Sequence, residues 1–163
     1  MAAPRGYSRI QIALHWAIAA LVLLQLFVNE GVQQAFNDRL DGQLDASGGA
    51  LLHIVVGVTV LVLALLRLAI RLARGAPPAH KGNPAIINWL GHATHFLLYG
   101  FIILMPLTGA IAWFFGMEFS AKLHEIGRLV LIPAIALHVM GALVEHFVFR
   151  NDSLRRMLKA TAD

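Results

Sequence analysis

Four long apolar stretches dominate the chain, over about residues 10–28, 50–70, 86–115 and 123–149. None alternates apolar and polar positions with the period of two that a half-buried strand needs, so each reads as a helix. Each is also long enough to carry a helix across a hydrocarbon core about 30 Å thick, which takes about 20 residues. Polar connections separate them. Residues 29–49 are polar and acidic and end in Ser-Gly-Gly, which reads as a loop. Residues 75–84 hold Gly-Ala-Pro-Pro and Gly-Asn-Pro, signals that stop one helix and start the next. Residues 116–122 read as a short turn. The first stretch lacks a small-residue cleavage site, so it reads as a span rather than a signal peptide. The pattern predicts an all-α chain: a transmembrane four-helix bundle forming a single domain over residues 1–163.

Composition agrees. Of the 163 residues 58% are hydrophobic and 13% charged, against about 25% charged in a soluble domain. With no cysteine, disulfides, thiolate-held iron–sulfur clusters and thioether-linked haem are excluded. Charge sets the orientation. Arg5, Arg9, Arg67, Arg71, Arg74, Lys81, Arg150, Arg155, Arg156 and Lys159 lie at the termini and around the second connection, leaving Arg39, Lys122 and Arg128 for the other side. The basic side is cytoplasmic, so both termini are expected there. On the outer side Glu30, Asp38, Asp41, Asp45, Glu118 and Glu125 outnumber the basic residues. Trp16, Trp89 and Trp113 stand near span ends, as interfacial anchors do. The positive charge follows the membrane surface, so no nucleic-acid partner is expected.

The chemistry is in the histidines. Seven of eight (His15, His53, His92, His95, His124, His138 and His146) fall in or beside the spans, and His80 lies in a connection. Ionisable side chains inside a bilayer are costly and mark function. His124 and His138 are 14 residues apart, which is about 21 Å along a helix and about 40° short of four full turns. Both therefore project from nearly one face at two depths. The second span starts outside, which brings His53 level with His124; the first starts inside, which brings His15 level with His138. Zinc would want three or four ligands. Two imidazoles on facing helices suit haem iron, whose other positions the porphyrin fills, and two axial histidines favour electron transfer over oxygen chemistry. Gly57 and Gly141, one turn from ligands, would leave room for a macrocycle. Arg67, 14 residues after His53, and Arg128, one turn after His124, are candidate partners for haem propionates.

At this point the chain resembles the bacterial cytochrome b561 family, small four-helix dihaem proteins of the inner membrane. The resemblance rests on Tyr7-Ser8-Arg9-Ile10-Gln11 leading to His15-Trp16, on Leu52-His53-x-x-x-Gly57, and on Gly91-His92-Ala93-Thr94-His95. It continues in His124-Glu125, Leu137-His138, His146 and Asn151-Asp152-Ser153-Leu154. It implies two non-covalent haem b groups on His15, His53, His124 and His138, with ubiquinone as electron partner. One branch of the family oxidises superoxide at the outer face, so the activity implied is that of a quinone-linked oxidoreductase of the superoxide oxidase type. The donor expected is superoxide or a protein. Arg9, His92, His95 and His146, with Glu145, are expected to form a polar cluster at the inner end that binds quinone or propionates.

The reading is thus a multi-pass protein of the bacterial cytoplasmic membrane, surrounded by lipid, that passes electrons between a donor and ubiquinone. An alternative in another class is a cytochrome b anchor subunit joining a peripheral dehydrogenase or hydrogenase to quinone. A histidine-based metal or proton transporter is a third, set back by the lack of a mid-span carboxylate.

Overall fold

The structure, a computed structural model, describes residues 6–29, 31–43, 48–78 and 82–160. Arg5, Glu30, Asp45, His80 and Lys81 lie outside the described residues. Six helices follow in order: α1 (Arg9–Phe27), α2 (Val32–Leu40), α3 (Gly48–Arg74), α4 (Ala85–Phe115), α5 (Glu118–Phe147) and α6 (Ser153–Arg156). Of these, α1, α3, α4 and α5 are long and apolar enough to cross a membrane, as the apolar stretches predict. They run alternately up and down. The starts of α1 and α4 and the ends of α3 and α5 share one end of the bundle, called proximal below; the other end is distal.

Local chemistry sets the first entry. The Ser8 hydroxyl accepts the Gln11 N–H at 3.4 Å, and Gln11 Oε1 accepts the Ser8 N–H at 2.9 Å. This reciprocal capping box satisfies backbone donors that a helix start leaves unpaired. Gln11 Nε2 donates to the Gly75 carbonyl at 3.0 Å, and Gly75 leaves α3 at φ +76°. A left-handed residue just past a helix end is a common stop, and glycine adopts it without a Cβ clash. Gln11 can therefore be 5% exposed, because its amide is paired on both sides.

Two expectations change. The segment read as a loop over residues 29–49 contains α2, whose Ala35 and Phe36 are buried against the bundle. Arg39 fastens it. Its Nε donates to the Trp113 carbonyl, Nη2 donates to the Phe114 carbonyl at 3.3 Å, and the guanidinium lies 5.4 Å from the Trp113 ring centre. A cation on the last carbonyls of α4 is favoured by the helix dipole. The polar remainder of α2 hides its helical pattern in the sequence. The second change is at the distal turn, which is only Gly116 and Met117, because α5 already begins at Glu118. Gly116 makes the reversal at φ +65°.

Close packing joins α1 to α3, α3 to α4, and α4 to α5. One apolar core is Ile18, Val56, Val60 and Ala64; the other is Leu98, Leu131 and Ala134. Ile102 of α4 packs against both. Thus α5 is anchored through α4, yet it faces α1 and α3 with its histidines.

Candidate functional site

The rings of His53 on α3 and His124 on α5 stand 6.0 Å apart between centres at the distal end. Those of His15 on α1 and His138 on α5 stand 6.1 Å apart toward the proximal end. The two pairings are those expected from depth alone. Two imidazoles on opposite sides of one metal ion stand roughly 6.3 Å apart between centres when each metal–nitrogen distance is about 2 Å. The separations therefore fit two nitrogens directed at one iron, and the sites fit haem b.

The distal rings are oriented by backbone. His53 Nδ1 lies 3.1 Å from the Val28 carbonyl, and His124 Nδ1 lies 2.7 Å from the Met105 carbonyl. A carbonyl oxygen only accepts, so each Nδ1 carries the hydrogen and each Nε2 keeps its lone pair. That is the tautomer a metal-binding histidine requires, and the bond also fixes the ring's direction. Around His124 the seat is tight. A Cβ on Gly109 would come within 3.0 Å of its Cε1 and 3.1 Å of its Nδ1. Thr108 Oγ1 lies 3.4 Å from the same Nδ1, and Ser120 donates to the Thr108 carbonyl at 2.8 Å. A Cβ on Gly127 would collide with the Met105 sulfur, so this glycine lets α4 and α5 approach. Near His53, the Gln25 amide donates to the His53 carbonyl at 2.8 Å. Gln25 also occupies the room beside Gly57, 3.2 Å from where a Cβ would be. Gly57 thus makes space for Gln25 rather than for a macrocycle. Gly141 has nothing within 4 Å of a built Cβ.

The proximal pair is more polar in its neighbourhood. His95 of α4 stacks edge-on to His138 at 5.1 Å, with its Nδ1 2.6 Å from the Gly91 carbonyl. Arg67 donates to the Gln11 carbonyl, one turn before His15. Arg71, one turn on, lies 5.7 Å from the Tyr99 ring centre.

The cluster expected at this end is divided. Glu145 is taken by Asn83 Nδ2 at 3.0 Å, and Asn151 donates to Asn83 at 3.4 Å. Arg9 is exposed beside Leu158 and Lys159 of the C-terminal segment. No hydrogen bond or ion pair among the described residues joins Arg9 to Glu145 or His146. His92 is exposed, with Nδ1 2.6 Å from the Asn88 carbonyl. The His146 Nδ1 is buried with no hydrogen-bond partner among the described residues. Asn83, in the connection before α4, is thus the residue that holds Glu145. Arg128 is exposed one turn after His124.

Sequence reasoning misses Gln11, Gln25, Arg39, Thr108 and Gly109. The Ser8-x-x-Gln11 spacing could have disclosed the first as a capping box. The others act through backbone carbonyls or close approach, which leave no mark in composition.

A membrane bundle whose spans pair histidines across helices at two levels defines a membrane cytochrome b. The sequence comparisons agree. The profile of the prokaryotic cytochrome b561 family matches residues 6–160, and the chain belongs to that family of haem-containing membrane electron-transport proteins. It is 33% identical to cytochrome b562 of Cereibacter sphaeroides, over 94% of this chain and 96% of that protein. It is 24% identical to the probable superoxide oxidase CybB of Yersinia pestis, again over 94% and 96% of the two chains.

Proposed function

We propose that the chain is a dihaem electron carrier of the bacterial cytoplasmic membrane, transferring electrons from a donor at the distal face to ubiquinone at the proximal end. One haem b is held by His53 and His124 and the other by His15 and His138. The observation that carries this reading is the pair of interhelical histidine couples, 6.0 and 6.1 Å between ring centres, both built on α5. Haem would supply the reversible one-electron change of iron, and two histidines holding each iron would favour electron transfer over oxygen chemistry.

The chain does the rest. Carbonyls of Val28 and Met105 hold the distal imidazoles in the ligating tautomer. Arg128 stands on the distal side as a candidate partner for an anionic propionate, and Arg67, expected to serve the same way on the proximal side, donates to the Gln11 carbonyl and brings a positive charge beside His15. The proximal end takes the cytoplasmic side because the basic residues gather there. Quinone reduction consumes two electrons and two protons. His92, His95 and His146 stand at that end as candidate proton carriers, and Arg9 as a candidate headgroup contact. The name of the Yersinia relative supports superoxide as the donor to test first.

Haem content of detergent-purified protein tests the reading. About two extractable haem b per chain, low-spin in both oxidation states, is the expected result, followed by superoxide-dependent reduction of ubiquinone. Little haem in protein produced with ample haem would overturn it.

A further inference from the structure

The two histidine pairs have different surroundings, and the difference concerns the iron each would hold. In the distal pair both rings donate Nδ1–H to a backbone carbonyl, at 3.1 Å to Val28 and 2.7 Å to Met105. In the proximal pair no hydrogen bond among the described residues holds either ring nitrogen of His15 or His138. A donated Nδ1–H makes an imidazole a more basic ligand. A more basic ligand stabilises ferric over ferrous iron, so it lowers the potential; hydrogen bonding around the ligands is one of the protein's means of tuning haem.

Charge works in the same direction. Half-buried Arg67 donates to the Gln11 carbonyl, one turn before His15, and half-buried Arg71 lies one turn further along α3, 5.7 Å from the Tyr99 ring centre. Of the carboxylates at that end, Glu145 is bound by Asn83 two turns beyond His138, and Asp152 is paired with Arg156 at 2.9 Å. Fixed positive charge favours the reduced, more electron-rich state of a haem. The distal pair also has a cation nearby, Arg128, one turn after His124 on α5. Arg128, however, is exposed, and solvent screens exposed charge. Beside it, Lys122 is already paired with Glu125 at 2.7 Å.

We infer that the two haems have unequal potentials, lower on His53/His124 and higher on His15/His138, so that the resting electron lies at the proximal end. The ligand environments would then favour transfer from a haem held by His53 and His124 to one held by His15 and His138, a one-electron exchange in which the first is oxidised as the second is reduced. Arg67 is the positioning residue of the proximal haem's potential. This rests on the dihaem reading above.

The experiment is a potentiometric titration of the purified holoprotein, read by the visible haem bands and by electron paramagnetic resonance. Two waves are expected, separated by at least tenfold in the electron-partition constant, which is 59 mV for a one-electron couple. His53→Ala should leave the upper wave. Arg67→Gln should move the upper wave down by severalfold in that constant and leave the lower one unmoved, and Arg67→Lys should restore it. Coincident waves, survival of the lower wave in His53→Ala, or movement of the lower wave in Arg67→Gln would each overturn the ordering. If His53→Ala does not fold, the Arg67 pair decides in protein with both haems. Fewer than two haems in the unaltered chain is a separate failure, which removes the dihaem reading and this ordering with it.

Discussion

Gly109→Ala probes the distal seat at its tightest point. An added methyl would come within 3.0 Å of His124 Cε1 and 3.1 Å of Nδ1, so the ring must retreat by a few tenths of an ångström. The same edge of the ring is bound to the carbonyl of Met105, one turn before Gly109 on α4, at 2.7 Å, and retreat from α4 stretches or breaks that bond. A typical intramolecular hydrogen bond contributes about 0.5–1.5 kcal/mol, and about 1.4 kcal/mol is a factor of ten in affinity. The distal haem should therefore bind up to about tenfold more weakly. Helix propensity acts in the opposite direction, because alanine favours a helix interior over glycine by about 1 kcal/mol. A general loss of folding is thus not the expected outcome. The assay is haem transfer to excess apomyoglobin, followed by two phases of absorbance change. The distal phase should accelerate and the proximal phase remain unchanged. Equal acceleration of both, or of neither, would refute the role given to Gly109.

Other consequences can be checked separately. His53→Ala or His124→Ala should remove one haem and spare the other, and His15→Ala or His138→Ala should do the converse. The sites are about 21 Å apart along α5, and perturbations beyond about 10 Å act independently; loss of both haems from each folded single variant would contradict the pairing. Gln11→Ala removes the capping box and the bond to Gly75, with a cost of at least about 1 kcal/mol. It should lower the melting temperature in detergent by several degrees, and an unchanged melt would deny Gln11 its structural role. Arg39→Ala frees α2 from the end of α4, so limited proteolysis should cut residues 29–49 faster while leaving the spans intact. Glu125→Gln breaks an ion pair whose side chains are 64% and 57% exposed; pairs of that kind contribute little, and the melt should not move.

Much of the architecture was legible because a bilayer imposes a simple rule. Backbone polar groups must be satisfied within each span, so long apolar runs can only be helices. The runs at residues 10–28, 50–70 and 86–115 accordingly fall within four residues of α1, α3 and α4 at each end. The last begins five residues before its expected start, because Glu118, Ser120 and Lys122 make the opening turn of α5 look like a connection. Helix α2 was illegible for the same reason: nine residues with two buried positions give no apolar run, and only contact with the bundle makes them a helix.

The site divides along the same line. The histidine pairs follow from sequence because α-helical rise and twist are rigid. Fourteen residues on α5 fix both the depth and the face of His124 and His138 before any neighbour is known. What holds each ring does not follow, since carbonyls are common to every residue and carry no sequence signature. The Met105 carbonyl becomes the partner of His124 only when Gly109 and Gly127 let α4 and α5 come together. In the same way Asn83, not Arg9, reaches Glu145. Sequence alone determined the spans and the levels of the histidines, through periodicity and the cost of polarity in lipid. Tertiary structure alone decided which carbonyl or cation each imidazole meets, because that choice depends on the approach of helices distant in the chain.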